Sequence, residues 1–90
     1  MVQARYLLVS GKVQGVGFRY FAQMTAAEHN VNGWVKNLEN GAVAIHAEGK
    51  EEQVDAFVRS LKKGNHFAKV HQVNEESASV ESFHSFRILY

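Results

Sequence analysis

Apolar and polar positions change period several times along the chain, and each change marks an element. Residues 3–13 predict a strand, with Tyr6-Leu7-Leu8-Val9 apolar on both faces as in the centre of a sheet. From Phe18 the period lengthens. Phe18, Phe21, Ala22, Thr25, Ala26 and His29 fall at i, i+3, i+4, i+7 spacing, which is one helical stripe. Asn30 suits a left-handed helix stop, and Gly33 follows it. Residues 33–39 and 42–48 predict two strands joined by Asn40-Gly41, a strong hairpin signal. A second helix begins after Gly49. Val54, Phe57, Val58 and Leu61 line one face of it, Glu51 and Glu52 stand at its start, and Gly64 is placed to end it. Residues 68–75 and 83–90 supply one or two further strands, the last with Phe86, Ile88 and Tyr90 alternating.

This order, β-α-β-β-α-β, predicts an α+β ferredoxin-like fold with two helices on one face of an antiparallel sheet. No Pro/Gly/Ser-rich linker, repeat or low-complexity run interrupts it, so residues 1–90 are expected to form a single domain.

Composition narrows the function classes. The ten lysines and arginines are scattered among nine carboxylates, for a net charge of +1. That gives no field for wrapping nucleic acid. Lys62-Lys63 closes the second predicted helix, where cations complement the dipole. The absence of cysteine excludes disulfides, iron–sulfur clusters and thiolate zinc sites. There is no secretory pattern at the N-terminus and no apolar run near the ~20 residues of a membrane span. A cytoplasmic protein without a membrane partner is expected.

Two stretches carry the chemistry. Val9 to Arg19 reads as a strand entering a glycine-bearing loop that ends in an arginine at the mouth of a helix. Gly15 and Gly17 permit positive φ, so successive N–H groups can converge on one point. The helix N-terminus adds unpaired N–H groups and partial positive charge. Arg19 adds a planar fork matched to two phosphoryl oxygens at once. A cation at a helix start opposes the dipole, so an anion is needed to justify it. Together these features describe an anion cradle, most simply for a phosphoryl group. Gln14 and Val16 read as loop-shaping residues whose side chains matter less than their N–H groups.

The second stretch, Gly33 to Gly41, holds Asn37 within a predicted strand, where asparagine is depleted. The turn is already supplied by Asn40-Gly41, and a neutral amide offers the donor and acceptor that hold a water. Neither stretch contains an Asp or His, and its one Glu is Glu39, so no general base is evident; Ser10 has no activating partner. The five histidines (29, 46, 66, 71 and 84) fall in no metal-site spacing, so no metal and no cofactor are expected. Trp34 and Tyr20 read as packing residues rather than a stacking platform, with the edge of the site as the alternative place for either.

These residues resemble the acylphosphatases, small enzymes that hydrolyse the carboxyl–phosphate bond of acyl phosphates. The resemblance spans essentially the whole chain. The signature Gly-x-Val-Gln-Gly-Val-x-Phe-Arg is complete in Gly11 through Arg19. The signature Gly-aromatic-Val-Lys-Asn, followed by Gly-x-Val and a later Gly, is complete in Gly33 through Asn37, Gly41, Val43 and Gly49. The resemblance implies that the backbone of Val13, Gln14, Gly15, Val16, Gly17 and Phe18 binds the substrate phosphate. It implies further that Arg19 grips that phosphate and that Asn37 positions the attacking water. A monomer acting on a small acyl phosphate is expected. The alternative class is a non-catalytic anion- or acyl-phosphate-binding module, related to the acylphosphatase-like domain of hydrogenase-maturation carbamoyltransferases. One departure lies at the C-terminus: many relatives end Phe-x-Ile-Arg-Tyr, whereas this chain ends Phe86-Arg87-Ile88-Leu89-Tyr90.

Overall fold

The computed structural model describes all of residues 1–90. Its elements are β1 (Val2–Lys12), α1 (Phe18–Glu28), β2 (Asn32–Asn37), β3 (Val43–Lys50), α2 (Glu51–Lys63), β4 (Lys69–Ala78) and β5 (Phe86–Leu89). The strands form one sheet in the order β4-β1-β3-β2-β5. Pairs β1–β3, β1–β4 and β2–β3 are antiparallel, as the sequence predicts. The fourth pair, β2–β5, is parallel, so the sheet is mixed and gains a fifth strand beyond the six-element pattern.

Both helices cover the same face. Leu7 and Val9 of β1, Val35 of β2 and Val43, Ile45 and Ala47 of β3 meet Phe18, Ala22 and Ala26 of α1 and Val54, Phe57, Val58 and Leu61 of α2. These are the 3.6- and 2-residue periodicities of the sequence realised in one core. Phe57 is fully buried and meets Phe86 edge-on at 5.8 Å, which seats β5 against α2. α2 is well set at both ends: Gln53 Oε1 accepts the Lys50 N–H (2.9 Å), and Gly64 ends the helix at φ 68. His29 reaches from the end of α1 to Ser60 Oγ on α2 (3.3 Å), so it bridges the helices.

Central strand β3 is buried on both faces. Its second face, away from the helices, carries His46 and Glu48. Trp34 stacks on His46 at 6.1 Å, and Phe83 meets the same imidazole edge-on at 5.3 Å. Trp34 is therefore a packing residue there. Gly33 makes the approach of β2 to β3 possible, because at φ 140 a Cβ would collide with the His46 carbonyl oxygen.

Strand boundaries differ from the sequence reading by one to three residues, and at two of them the contacts give the reason. β2 ends at Asn37 rather than residue 39, and the hairpin connection runs over residues 38–42. Leu38 N–H donates to the Ala42 carbonyl (2.9 Å), and Asn40 Oδ1 accepts the Ala42 N–H (3.0 Å). Only Gly41 has positive φ, so Asn40-Gly41 is not a two-residue type I′ turn. β5 begins at Phe86 rather than 83, because residues 79–85 are held as a strap across the second face of the sheet by Glu48.

Candidate active site

A register irregularity in the β1–β4 pairing between Ser10 and Gly11 bends β1 at its end and sends the chain into the loop of residues 13–17. Val13 and Phe18 are each 1% exposed, so the loop is pinned in the core at both ends. Between them Gly15 (φ 73) and Gly17 (φ 76) take left-handed backbone that other residues adopt only with strain. Gly17 is also the residue preceding α1, and no side chain caps that helix. The first-turn N–H groups of α1 therefore face the loop without intrahelical partners.

Gln14 ties this loop to the neighbouring hairpin. Its Nε2 donates to the Leu38 carbonyl (2.7 Å) and to the Ala42 carbonyl (2.9 Å). Those residues flank the turn that follows Asn37. Contrary to the reading from sequence, the Gln14 side chain is a strut that sets the loop relative to the hairpin.

Arg19, in the first turn of α1, has no carboxylate partner: the ion pairs of the chain involve Arg5 and His46. Its Nη1 donates to the Leu89 carbonyl (3.2 Å), and its guanidinium lies over the Tyr90 ring, 4.8 Å from the centroid. Both contacts are with neutral groups, so the charge is held without being cancelled. They use a main-chain oxygen and a ring, so they do not depend on the side chain at position 89.

Asn37 closes β2 opposite Val43. Its Oδ1 is buried and has no hydrogen-bond partner. Buried acceptors without donors are rare and costly.

Gly15, Gly17, Arg19 and Asn37 meet at one cavity of about 180 Å³, together with Val13, Phe18, Tyr20, Ile88 and Tyr90. Six of the eight residues singled out from sequence thus line it. Gln14 and Val16 do not; Gln14 acts from behind as a strut, and Val16 packs against the core. Ile88 and Tyr90 were not singled out. Their alternation with Phe86 was legible, but the parallel pairing that brings them beside Arg19 was not.

A family model described as Acylphosphatase matches residues 5–88. The chain belongs to the acylphosphatase family. It is 47% identical to the acylphosphatase of Bacillus licheniformis, over all of both chains. The crystal structure of acylphosphatase from Bacillus subtilis superposes with a TM-score of 0.93 at 46% identity, again covering both chains completely. All of this chain also superposes on 12% of full-length HypF in its phosphate- and nucleotide-bound form, with a TM-score of 0.87 and 30% identity. The Bacillus subtilis acylphosphatase therefore shares the helix, strand and loop arrangement of this chain.

Proposed function

We propose that this chain is an acylphosphatase whose 90 residues act as one catalytic unit, hydrolysing acyl phosphates to a carboxylate and inorganic phosphate without a metal. The observation that carries the reading is the shared cavity, lined together by Gly15 and Gly17 of the loop, by an Arg19 with no carboxylate partner, and by Asn37, whose buried Oδ1 has no partner.

In this mechanism the loop N–H groups of residues 13–18 and the Arg19 fork bind the phosphoryl oxygens. They stabilise the charge that spreads over those oxygens in the transition state. The Asn37 amide, at the wall of the cavity, holds the attacking water with a lone pair directed at phosphorus. The new O–P bond forms as the bond between phosphorus and the acyl oxygen breaks, and the carboxylate departs with that electron pair. A phosphoryl oxygen takes the water proton, so no protein base is required. A carboxylate is a good leaving group, and positioning with electrostatic stabilisation suffices. No phosphoenzyme forms. Arg19 supplies the positive charge that the transition state requires, so the mechanism calls for no metal.

The substrate is a small acyl phosphate, and the active form is a cytoplasmic monomer without nucleic-acid or membrane partners. The net charge of +1 is the feature that speaks against a nucleic-acid partner. The likeness to HypF favours a second reading, a phosphate-binding module without turnover. Hydrolysis of benzoyl phosphate by the purified chain separates the two. Turnover that survives a chelator and is competitively inhibited by phosphate supports the enzyme. Phosphate binding without turnover supports the module.

A further inference from the structure

Glu48 is 4% exposed and lies on the face of the sheet away from the helices. It pairs in register with Asn32 at one end of β2, whereas Val43, five residues earlier, pairs with Asn37 at the other. At ~3.4 Å per residue the carboxylate is therefore about 17 Å along β3 from the catalytic end. It takes no part in the chemistry. Yet it gathers three donors: the Glu81 N–H, the Phe83 N–H (3.0 Å) and His46 Nε2 (3.0 Å).

Two of those donors belong to the strap of residues 79–85. The same strap is tied by Asn32 Nδ2 to the Phe83 carbonyl (3.0 Å) and by Gly33 N–H to the Ser85 carbonyl (2.9 Å). The strap runs straight into β5, whose four residues pair with β2 alone. A short parallel edge strand has little hold of its own. Phe86, buried against Phe57, decides which face of β5 points inward. The strap and Gln23 Nε2, which donates to the Phe86 carbonyl (3.1 Å), bear on how far along β2 the strand lies. A slip of two residues keeps every face but moves the strand end by about 6.6 Å. The strand end is where Leu89 O and the Tyr90 ring hold Arg19.

We propose that Glu48 is a positioning residue for Arg19: by anchoring the strap it sets the placement of β5, and so of the carbonyl and ring that hold the guanidinium over the cradle. This rests on the proposed role of Arg19 in phosphate binding. His46 is the charged or titratable side chain in contact with the Glu48 carboxylate, and Phe83 and Trp34 close the imidazole in. Glu48 thus acts on the distant site through backbone, with no charged relay between them.

A double-mutant cycle with inorganic phosphate as the probe tests this. Phosphate affinity is measured by NMR titration on the wild type, Glu48→Gln, Arg19→Ala and the double variant. Glutamine replaces an acceptor oxygen with an NH₂ that faces a strap N–H. Glu48→Gln is expected to weaken phosphate binding roughly tenfold, the scale of one charge-assisted hydrogen bond lost. In kinetics the same variant raises KM more than it lowers kcat. In the Arg19→Ala background the substitution should have no further effect. An equal loss in both backgrounds, or affinity within twofold of wild type in Glu48→Gln alone, overturns the proposal. Unchanged affinity in Arg19→Ala alone overturns the role of Arg19 and this proposal with it. Should Glu48→Gln fail to fold, Glu48→Asp, which keeps the charge but shortens the reach by one methylene, goes through the same cycle with the same outcomes.

Discussion

Arg19→Lys keeps the charge and removes the geometry. In the structure one residue meets three demands at once: Nη1 donates to the Leu89 carbonyl at 3.2 Å, the guanidinium lies over the Tyr90 ring at 4.8 Å from its centroid, and Arg19 lines the cavity. An ammonium is a single point on a flexible stem and cannot fill all three places. Losing one of two parallel charge-assisted contacts to the phosphoryl group costs about 1.5–3 kcal/mol. Loss of stacking at an exposed ring adds about 0.5–1 kcal/mol. Together they come to about 2–4 kcal/mol, or a fall in kcat/KM of roughly 30- to 10³-fold at 1.4 kcal/mol per decade. Arg19→Ala should be only modestly worse. Benzoyl phosphate hydrolysis, with phosphate as competitor, measures both constants. A lysine variant within threefold of wild type would show that charge alone suffices and refute the geometric argument.

Gln14→Ala removes two hydrogen bonds to hairpin carbonyls at 2.7 and 2.9 Å. Each is worth about 0.5–1.5 kcal/mol, so chemical denaturation should show a loss of about 1–3 kcal/mol, with turnover reduced as cradle and Asn37 lose their fixed spacing. Unchanged stability and activity together would mean that the strut is incidental. The Glu48 carboxyl titrates below its ordinary value. Burial, the largest influence, opposes ionisation, but the Glu81 N–H, His46 and the Phe83 N–H together outweigh it. Its folded value is depressed, so its stabilisation is fully present above the ordinary 4.5 and is lost as pH falls through the folded value. Thermal unfolding against pH should therefore lose a step below about pH 4.5 in Glu48→Gln relative to wild type; parallel curves would contradict this.

Most of the fold was legible because it follows from periodicity. The helical stripe of Phe18, Ala22 and Ala26 and that of Val54, Phe57 and Leu61 became the inner faces of α1 and α2. Gly15 and Gly17 took the positive φ their loop position implied. What sequence did not reveal is long-range and polar. Gln14 finds its partners 24 and 28 residues away, and Glu48 finds its strap 33 and 35 residues away. Such contacts leave no period in the chain, since one side chain meets one backbone group. The parallel placement of β5 was hidden for a related reason. Alternation gives the faces of a strand but not its neighbour or direction. Arg19 shows the consequence: the sequence said that it needs an anion, but not that Leu89 and Tyr90 would hold it ready.

The division of labour between cradle and water is the central claim, and Asn37→Ala tests it most directly. Phosphate affinity by calorimetry and benzoyl phosphate turnover should be measured on one folded preparation. Asn37 Oδ1 has no partner within the protein, so alanine breaks no internal contact of that atom, and the hairpin bonds around Asn40 stay in place. The predicted result is phosphate affinity near that of wild type, with kcat lower by roughly 10²–10³, the scale of removing one preorganised hydrogen-bonding group. Affinity and turnover collapsing together would make Asn37 a phosphate ligand. Turnover that barely changes would mean that the water is held elsewhere, and either result would contradict the mechanism.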